Sequence, residues 1–491
     1  MSTIALPNDF ETYTACLMGP ALWPVLRQGL VEEEPPVSIR LNPFKTCAEA
    51  PGANGSHAQQ ALGDPIIGSE WQPVPWCSMG RYLPRRPPFT FDPLLHAGTY
   101  YVQEASSMFI DHVLRQLVHE PVTMLDLCAA PGGKSTTARA ALPAGSLLFT
   151  NEPVKLRASI LAENIQKFGH PDVIVTNNYP ADYGRSALMF DVILTDVPCS
   201  GEGMFRKDAG AIAEWSKEHV EKCWQLQRSI VQDVWPCLRA GGLLIYSTCT
   251  FNAHEDEENV DWICRTLGAE SVAVTTLPEW NITQELLGSH RCYRFLPGKT
   301  RGEGLFVAVL RKEGEAQQPS GEQTKGKDKR RKDRQKATAQ GQRVAIPTDW
   351  LQGEQKVYPV RDTLRAIPQA WATAYEAAAS RLHIIHAGVT LGTVKGRDIV
   401  PDTSLALSTL LYKGAFPLVE LSLHDAISFL RKEAVMLPAG TPRGFVVVTY
   451  HGHPLGFEKN IGNRANNLYP QEWKIKTTHI PEEIAAIAGK Q

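Results

Sequence analysis

The sequence predicts an α/β protein whose centre is a doubly wound, Rossmann-like sheet, with an N-terminal α+β lobe before it and a C-terminal α+β region after it. Three observations carry that prediction. Between residues 119 and 312 short apolar, β-rich runs alternate with helical patterns, as expected of parallel strands covered on both faces. The first of these runs opens into a loop of small residues ahead of a helix, which lets backbone approach a ligand closely. Two later runs end in turn-forming residues that each display a cysteine, Cys199 and Cys249.

In chain order, residues 1–118 carry many prolines and aromatics, among them Trp71, Trp76, Pro84, Pro87 and Pro88, and are expected to form a less regular lobe. Strands are predicted at 124–127, 147–150, 173–176, 192–195 and 243–246, with helices near 155–168 and 217–238 between them. Over 313–342 apolar residues give way to Gly, Gln, Ser and charge, with a dense basic run at 325–336, so this segment reads as a flexible linker. That run serves equally as a solvated tether or as one that grips phosphates, and by itself it does not establish RNA binding. Residues 343–410 and 411–491 form two further regions, the second marked by an amphipathic helix at 423–432 and a strand at 444–450. No internal repeat is evident.

Composition narrows the function classes. With 491 residues and 43% hydrophobic content the chain buries more than one core. A net charge of −2 excludes a globally basic nucleic-acid binder, so any footprint for nucleic acid must be local. The N-terminus lacks a basic segment followed by an apolar core, and no uncharged apolar run reaches the roughly 18 residues of a membrane span. A cytoplasmic protein without a membrane partner is expected. Ten cysteines without a C-x-x-C pair argue against zinc and against a disulfide framework.

The small-residue loop is Cys128, Ala129, Ala130, Pro131, Gly132, Gly133 and Lys134, leading into a helix expected to begin at Ser135 or Thr136. It lacks the first glycine of a phosphate-binding P-loop, and the G-x-G-x-x-G dinucleotide fingerprint is also missing. What fits is a nucleoside ligand held without a phosphate grip. Glu152, about 20 residues further on at the end of the second strand, is placed to accept both ribose hydroxyl protons. S-adenosyl-L-methionine has a ribose, an adenine and no phosphate, and it is the expected cofactor; Asn177 or Asn178, at the end of the third strand, would read the adenine edge.

Methyl transfer to a pyrimidine C5 needs a carbon nucleophile that cytosine lacks until a thiolate adds at C6. A cysteine, a proton-transfer group and a water-poor pocket follow as requirements. Cys249, Cys199 and Asp196 are the candidates, with Asp196 placed to hydrogen-bond the cytosine edge or shuttle protons, and Pro198 stiffening the turn that shows Cys199. Spacing alone does not order the two thiols. Cys128, Cys223, Cys237 and Cys264 are expected as small buried hydrophobes.

Residues 128–134, the stretch Asp196-Val197-Pro198-Cys199-Ser200-Gly201-Glu202-Gly203 and the stretch Ser247-Thr248-Cys249-Thr250 closely resemble the RNA 5-methylcytosine methyltransferase family. The resemblance continues upstream in residues 38–42 and 101–108 and covers about residues 25–312. It implies that Cys249 is the nucleophile, that Cys199 assists product release, and that the cofactor is held by residues 128–134, Glu152 and Asp196. One departure stands out: many members carry an acid just after the third strand, where this chain has Tyr179. Residues 454–473 resemble the PUA-like RNA-binding tail of bacterial members that act on small-subunit ribosomal RNA, with Lys459, Arg464, Tyr469 and Trp473 offering charge and stacking faces. The resemblance thus implies an RNA-binding N-terminal lobe and a monomeric enzyme acting on 16S rRNA or the small subunit; a transfer RNA substrate, or an assembly factor without turnover, are the alternatives.

Overall fold

The computed structural model describes residues 5–46, 70–314, 347 and 349–477. The basic run at 325–336, and nearly all of the linker expected around it, lie outside the described residues.

The chain opens with a helix, Asn8–Val31, kinked where Gly19 takes φ 65° ahead of Pro20. Strands β1 (Val37–Leu41), β2 (Gln72–Val74), β3 (Cys77–Leu83) and β4 (Tyr100–Val102) then make an antiparallel sheet in the order β2-β3-β1-β4.

The central sheet holds β5 (Thr123–Asp126), β6 (Leu147–Asn151), β7 (Val173–Thr176), β8 (Phe190–Asp196), β9 (Leu238–Thr248), β10 (Ala269–Ser271), β11 (Tyr293–Phe295) and β12 (Leu305–Lys312). Its order is β10-β12-β9-β8-β5-β6-β7, with β11 paired to β12. Strands β5 to β9 run parallel, while β12 returns antiparallel on β9. Helices Gly133–Ala141, Lys155–Phe168 and Lys217–Val234 lie between successive strands, and both faces of the sheet are apolar cores. Because the order turns outward in both directions from β5, the crevice beyond the end of β5 is the switch point where such sheets hold ligands.

Several boundaries differ from those expected, three of them close to the cofactor loop and β9. The helix entering β9 stops at Val234 rather than 238, since Pro236 forces a 3₁₀ turn at Trp235–Cys237. Strand β9 starts at Leu238, five residues early, with Gly241 at φ 76° and a register shift against β8. The helix after the cofactor loop begins at Gly133, two or three residues early.

After the undescribed segment come β13 (Gln355–Val360), β14 (Thr363–Pro368), β15 (Ile384–Ala387), β16 (Val389–Lys395) and β17 (Asp398–Pro401). Four of them form the sheet β13-β14-β16-β17, while β15 leaves it and adds to the central sheet, antiparallel to β7. The last sheet is β18 (Leu418–Glu420), β19 (Gly444–Tyr450), β20 (His453–Asn460) and β21 (Ala465–Asn467), with the helix Leu423–Leu430 beside it. Val447 and Phe457 of this sheet share a core with Leu364, Val389 and Leu405, so apolar packing runs continuously across residue 410. Val446 and Tyr450 share another with Ile39 and Tyr100 of the N-terminal lobe. Among the described residues no helix is long and apolar enough to cross a membrane.

Candidate active site

The cofactor loop is pinned from both sides as it leaves β5. The Leu127 N–H donates to the Leu194 carbonyl at 2.9 Å and the Ala129 N–H to the Asn151 carbonyl at 2.8 Å, so the loop hangs between the ends of β8 and β6. Gly132 takes φ 114°, where a side chain would strain the backbone, and a Cβ on Gly133 would stand 3.2 Å from the Tyr101 ring. Arg157 and Asn164 donate to the carbonyls of Ala130 and Pro131 at 3.1 and 2.7 Å. Beneath the loop Asp126 is wholly buried and accepts from Ser135 Oγ at 2.6 Å; burial pushes its carboxyl up to about 7.

Glu152 follows β6 and is 1% exposed. One of its oxygens accepts from the Val154 N–H at 3.0 Å and the other stands 3.4 Å from Arg157. Asn177 spends both amide hydrogens on the carbonyls of Glu152 and Pro153, each at 2.8 Å, which leaves its side-chain oxygen as the group available to an adenine. Asn178 is occupied elsewhere, donating to the His383 carbonyl at 3.2 Å and accepting from the His383 N–H at 3.0 Å. Tyr179, at the position where an acid would be usual, is 69% exposed and makes its backbone bond to Asp182. A closely approachable loop with a carboxylate at the neighbouring strand end is a donor and acceptor set suited to a nucleoside, so these residues fit S-adenosyl-L-methionine.

The two thiols come from the ends of the next two strands. Asp196 closes β8 and Thr248 closes β9, and the Val197 N–H ties the strand ends by donating to the Ser247 carbonyl at 3.1 Å. Cys199 Sγ and Cys249 Sγ stand 3.0 Å apart, and the Cys249 N–H points at Cys199 Sγ at 3.4 Å. The hydrogen bond with Cys249, reinforced by burial, holds the Cys199 thiol well above its ordinary range. Asp196 accepts from Lys134 Nζ at 2.9 Å and from Ser247 Oγ at 2.8 Å, which joins the cofactor loop to the thiol-bearing strands. Burial works against the Lys134 ammonium, but Asp196 outweighs it and the lysine is held charged. Under the second thiol, Thr248 and Thr250 both donate to Asp256, at 2.6 and 3.0 Å, and Arg294 lies 2.9 Å from the same carboxylate.

Of the four cysteines expected as small buried hydrophobes, Cys223 and Cys237 are buried while Cys128 and Cys264 are half-buried, and burial is the chief cause that raises all four thiols. Sequence reasoning missed Ser247 as the partner of Asp196, although it stands in the quoted motif. It also assigned no role to Glu202 and Glu255, which are both buried. In the C-terminal sheet Tyr469 is a correction: expected as a stacking face for RNA, it is fully buried and packs on Phe429, because the turn after β21 folds it into the core. Trp473 is half-buried with Lys167 over its ring at 5.6 Å, Lys459 lies over Phe445, and Arg464 is exposed.

Comparison with known proteins places these features in context. The chain matches the family model for 16S rRNA methyltransferase RsmB/F over residues 114–311, the N-terminal domain of 16S rRNA methyltransferase RsmF over 6–105, and the methyltransferase RsmF PUA domain over 416–475. It is 30% identical over 415 residues to the ribosomal RNA small subunit methyltransferase F of Klebsiella pneumoniae (strain 342), covering 82% of this chain and 85% of that protein. The protein of the same name from Aeromonas hydrophila subsp. hydrophila is 28% identical over 456 residues, covering 89% and 90%. Among solved structures, NSun6 from Pyrococcus horikoshii with SFG superposes at a TM-score of 0.51 with 20% identity, over 64% of this chain and all of that one. A methyltransferase homolog protein from the same organism gives 0.51 with 22% identity, over 63% and 96%; at these identities both likenesses speak to fold.

Proposed function

Since the chain belongs to the RsmF family of small-subunit ribosomal RNA methyltransferases, which are S-adenosyl-L-methionine dependent, we propose that it methylates C5 of a cytosine in that RNA through a covalent bond between Cys249 and C6. The observation that carries the reading is the thiol pair, two sulfurs 3.0 Å apart at adjacent strand ends beside a loop suited to the cofactor. A sulfonium methyl held at that loop supplies the electrophile.

Cys249 adds to C6 as its thiolate, and the displaced electron pair reaches N3, which takes a proton. C5 is then electron-rich and receives the methyl group. Until this point the neighbouring Cys249 sulfur is the main influence that keeps Cys199 protonated; once that sulfur is bonded to carbon, this largest restraint is lifted, and only burial and the Glu255 charge still favour the thiol. Cys199 gives its proton to solvent and its thiolate takes the C5 proton. The C5–H electron pair forms the C5=C6 double bond, Cys249 leaves as thiolate, and N3 gives back its proton. Asp196, fixed by Lys134 and Ser247, faces this reaction from the end of β8 and accepts from the cytosine amino edge. The base must be splayed out of its stack to reach the strand ends, and the N-terminal lobe together with the C-terminal sheet provides the surface that holds the RNA.

Cys249→Ala is expected to abolish methylation, whereas Cys199→Ala should accumulate a protein–RNA adduct that survives denaturing electrophoresis. Normal turnover by the Cys199 variant, with trapping by the Cys249 variant, would reverse the two roles.

A further inference from the structure

We infer that Glu202 and Glu255 are reciprocal positioning residues that set the spacing of Cys199 and Cys249, each carboxylate rooted in one thiol's loop and bonded to the other's; this rests on the two-thiol reading above. Glu202 lies just past Cys199 and is fully buried. It accepts from the Phe251 N–H, just past Cys249, at 2.6 Å and from the Trp215 indole at 3.0 Å. Glu255 belongs to the Cys249 loop, is equally buried, and accepts from the Ser200 N–H at 3.0 Å, next to Cys199. The Asn252 amide bridges the two, donating at 2.9 Å to each carboxylate. Gln227 donates to Glu255 at 2.6 Å and to the Pro198 carbonyl at 3.0 Å, gripping the Cys199 turn from the helix behind it.

Every one of these partners is a neutral N–H, and among the described residues no lysine, arginine or histidine bonds either carboxylate. Two buried acids without a cation are a costly way to hold two turns together, and apolar side chains of similar volume would do so with less penalty. What acids supply is directed acceptors that reach from one loop to backbone N–H groups on the other. No covalent bond joins the two sulfurs, and the hydrogen bond between them is a weak thiol contact, so their separation is set mainly from outside, and displacements of about 1 Å in a reacting group can cost 10²-fold in rate.

The spacing is measurable without RNA. Diamide oxidises two neighbouring thiols to a disulfide and is itself reduced to the hydrazine, so the rate at which Cys199 and Cys249 lose their two hydrogens, followed by peptide mass, reports how close they stand. In the full-length protein Glu202→Gln and Glu255→Gln should each slow this cross-link about tenfold and lower kcat by about 10–100-fold, with the KM for RNA and the affinity for S-adenosyl-L-methionine within about twofold of wild type. Cross-linking at the wild-type rate in variants that still bind the cofactor would overturn the inference. Should either variant lose cofactor binding, Asn252→Ala, which removes only the bridging amide, decides: it should slow the cross-link about threefold, and an unchanged rate there overturns the inference equally. Slowed cross-linking alongside normal methylation by Cys249→Ala would leave the clamp standing and remove the covalent mechanism instead.

Discussion

A single buried acid shows how far one residue departs from its local pattern. Glu458 sits on β20, accessible to neither solvent nor a partner: both of its oxygens are without hydrogen bonds among the described residues, and burial pushes it up to about 7. In the unfolded chain it titrates near 4.3, so between about pH 4 and pH 7 the folded state holds more protons than the unfolded one and stability falls as pH rises. Above the folded value the loss is complete. Glu458→Gln should therefore raise Tm by roughly 2–4 °C at pH 8.5 and by clearly less at pH 4.5; equal gains at both would show that the carboxyl is not titrating in that range. The sequence pattern, an acid that follows Phe457 and precedes the polar pair Lys459 and Asn460, suggests a surface site. The same blindness hid Glu202 and Glu255 and misplaced Tyr469, because burial of a polar or aromatic residue in a turn depends on what folds over it. The strand-end placement of Cys199, Cys249, Asp196 and Glu152 was legible for the opposite reason: each lies at or just past the end of an apolar strand, where such sheets present their chemistry.

At the scale of elements, the thiol loops leave no room to spare. The Gly203 N–H donates to the Cys249 carbonyl at 2.7 Å, and a Cβ on Gly203 would meet that same oxygen at 2.7 Å. Backbone cannot swing aside as a side-chain tip can, so Gly203→Ala must displace Cys249. A drop in kcat of at least about tenfold is expected, with cofactor affinity retained, and single-turnover methylation beside calorimetric titration of the cofactor would show it. Undiminished turnover would mean that the loop tolerates the shift. Strands buried on both faces were readable as unbroken apolar runs, β6 and β7 above all. The start of β9 was not, since Gly241 and Gly242 suggest a turn where the strand instead carries an irregularity.

For the molecule as a whole, the least legible feature is the strand that the C-terminal half lends to the central sheet. β15 covers the outer edge of β7, which would otherwise present unpaired backbone groups to solvent. A chain cut after residue 314 should therefore self-associate in light scattering and bind the cofactor more weakly than the full chain. A monodisperse fragment with unaltered affinity would show that the edge is protected without β15. Nothing in the periodicity of residues 384–387 names a partner some two hundred positions earlier, because a pairing at that distance is decided by which edge the rest of the fold leaves open. The doubly wound centre was predictable, since its order follows from local alternation and the handedness of its connections.

His383, just ahead of that strand, bonds to the Asn177 backbone and to the Asn178 side chain, both beside Glu152, the acid we propose for the cofactor ribose. This join gives the two halves a physical connection through which binding at one can bear on binding at the other. If gripping RNA steadies the C-terminal sheets and, through them, the outer wall of the adenosyl site, the donor is bound more tightly on the ribosomal substrate than in free solution. Reciprocity then requires the loaded donor to strengthen the hold on RNA by the same factor, so the enzyme would discriminate between substrate and bystander transcripts best when it is already charged for a turnover.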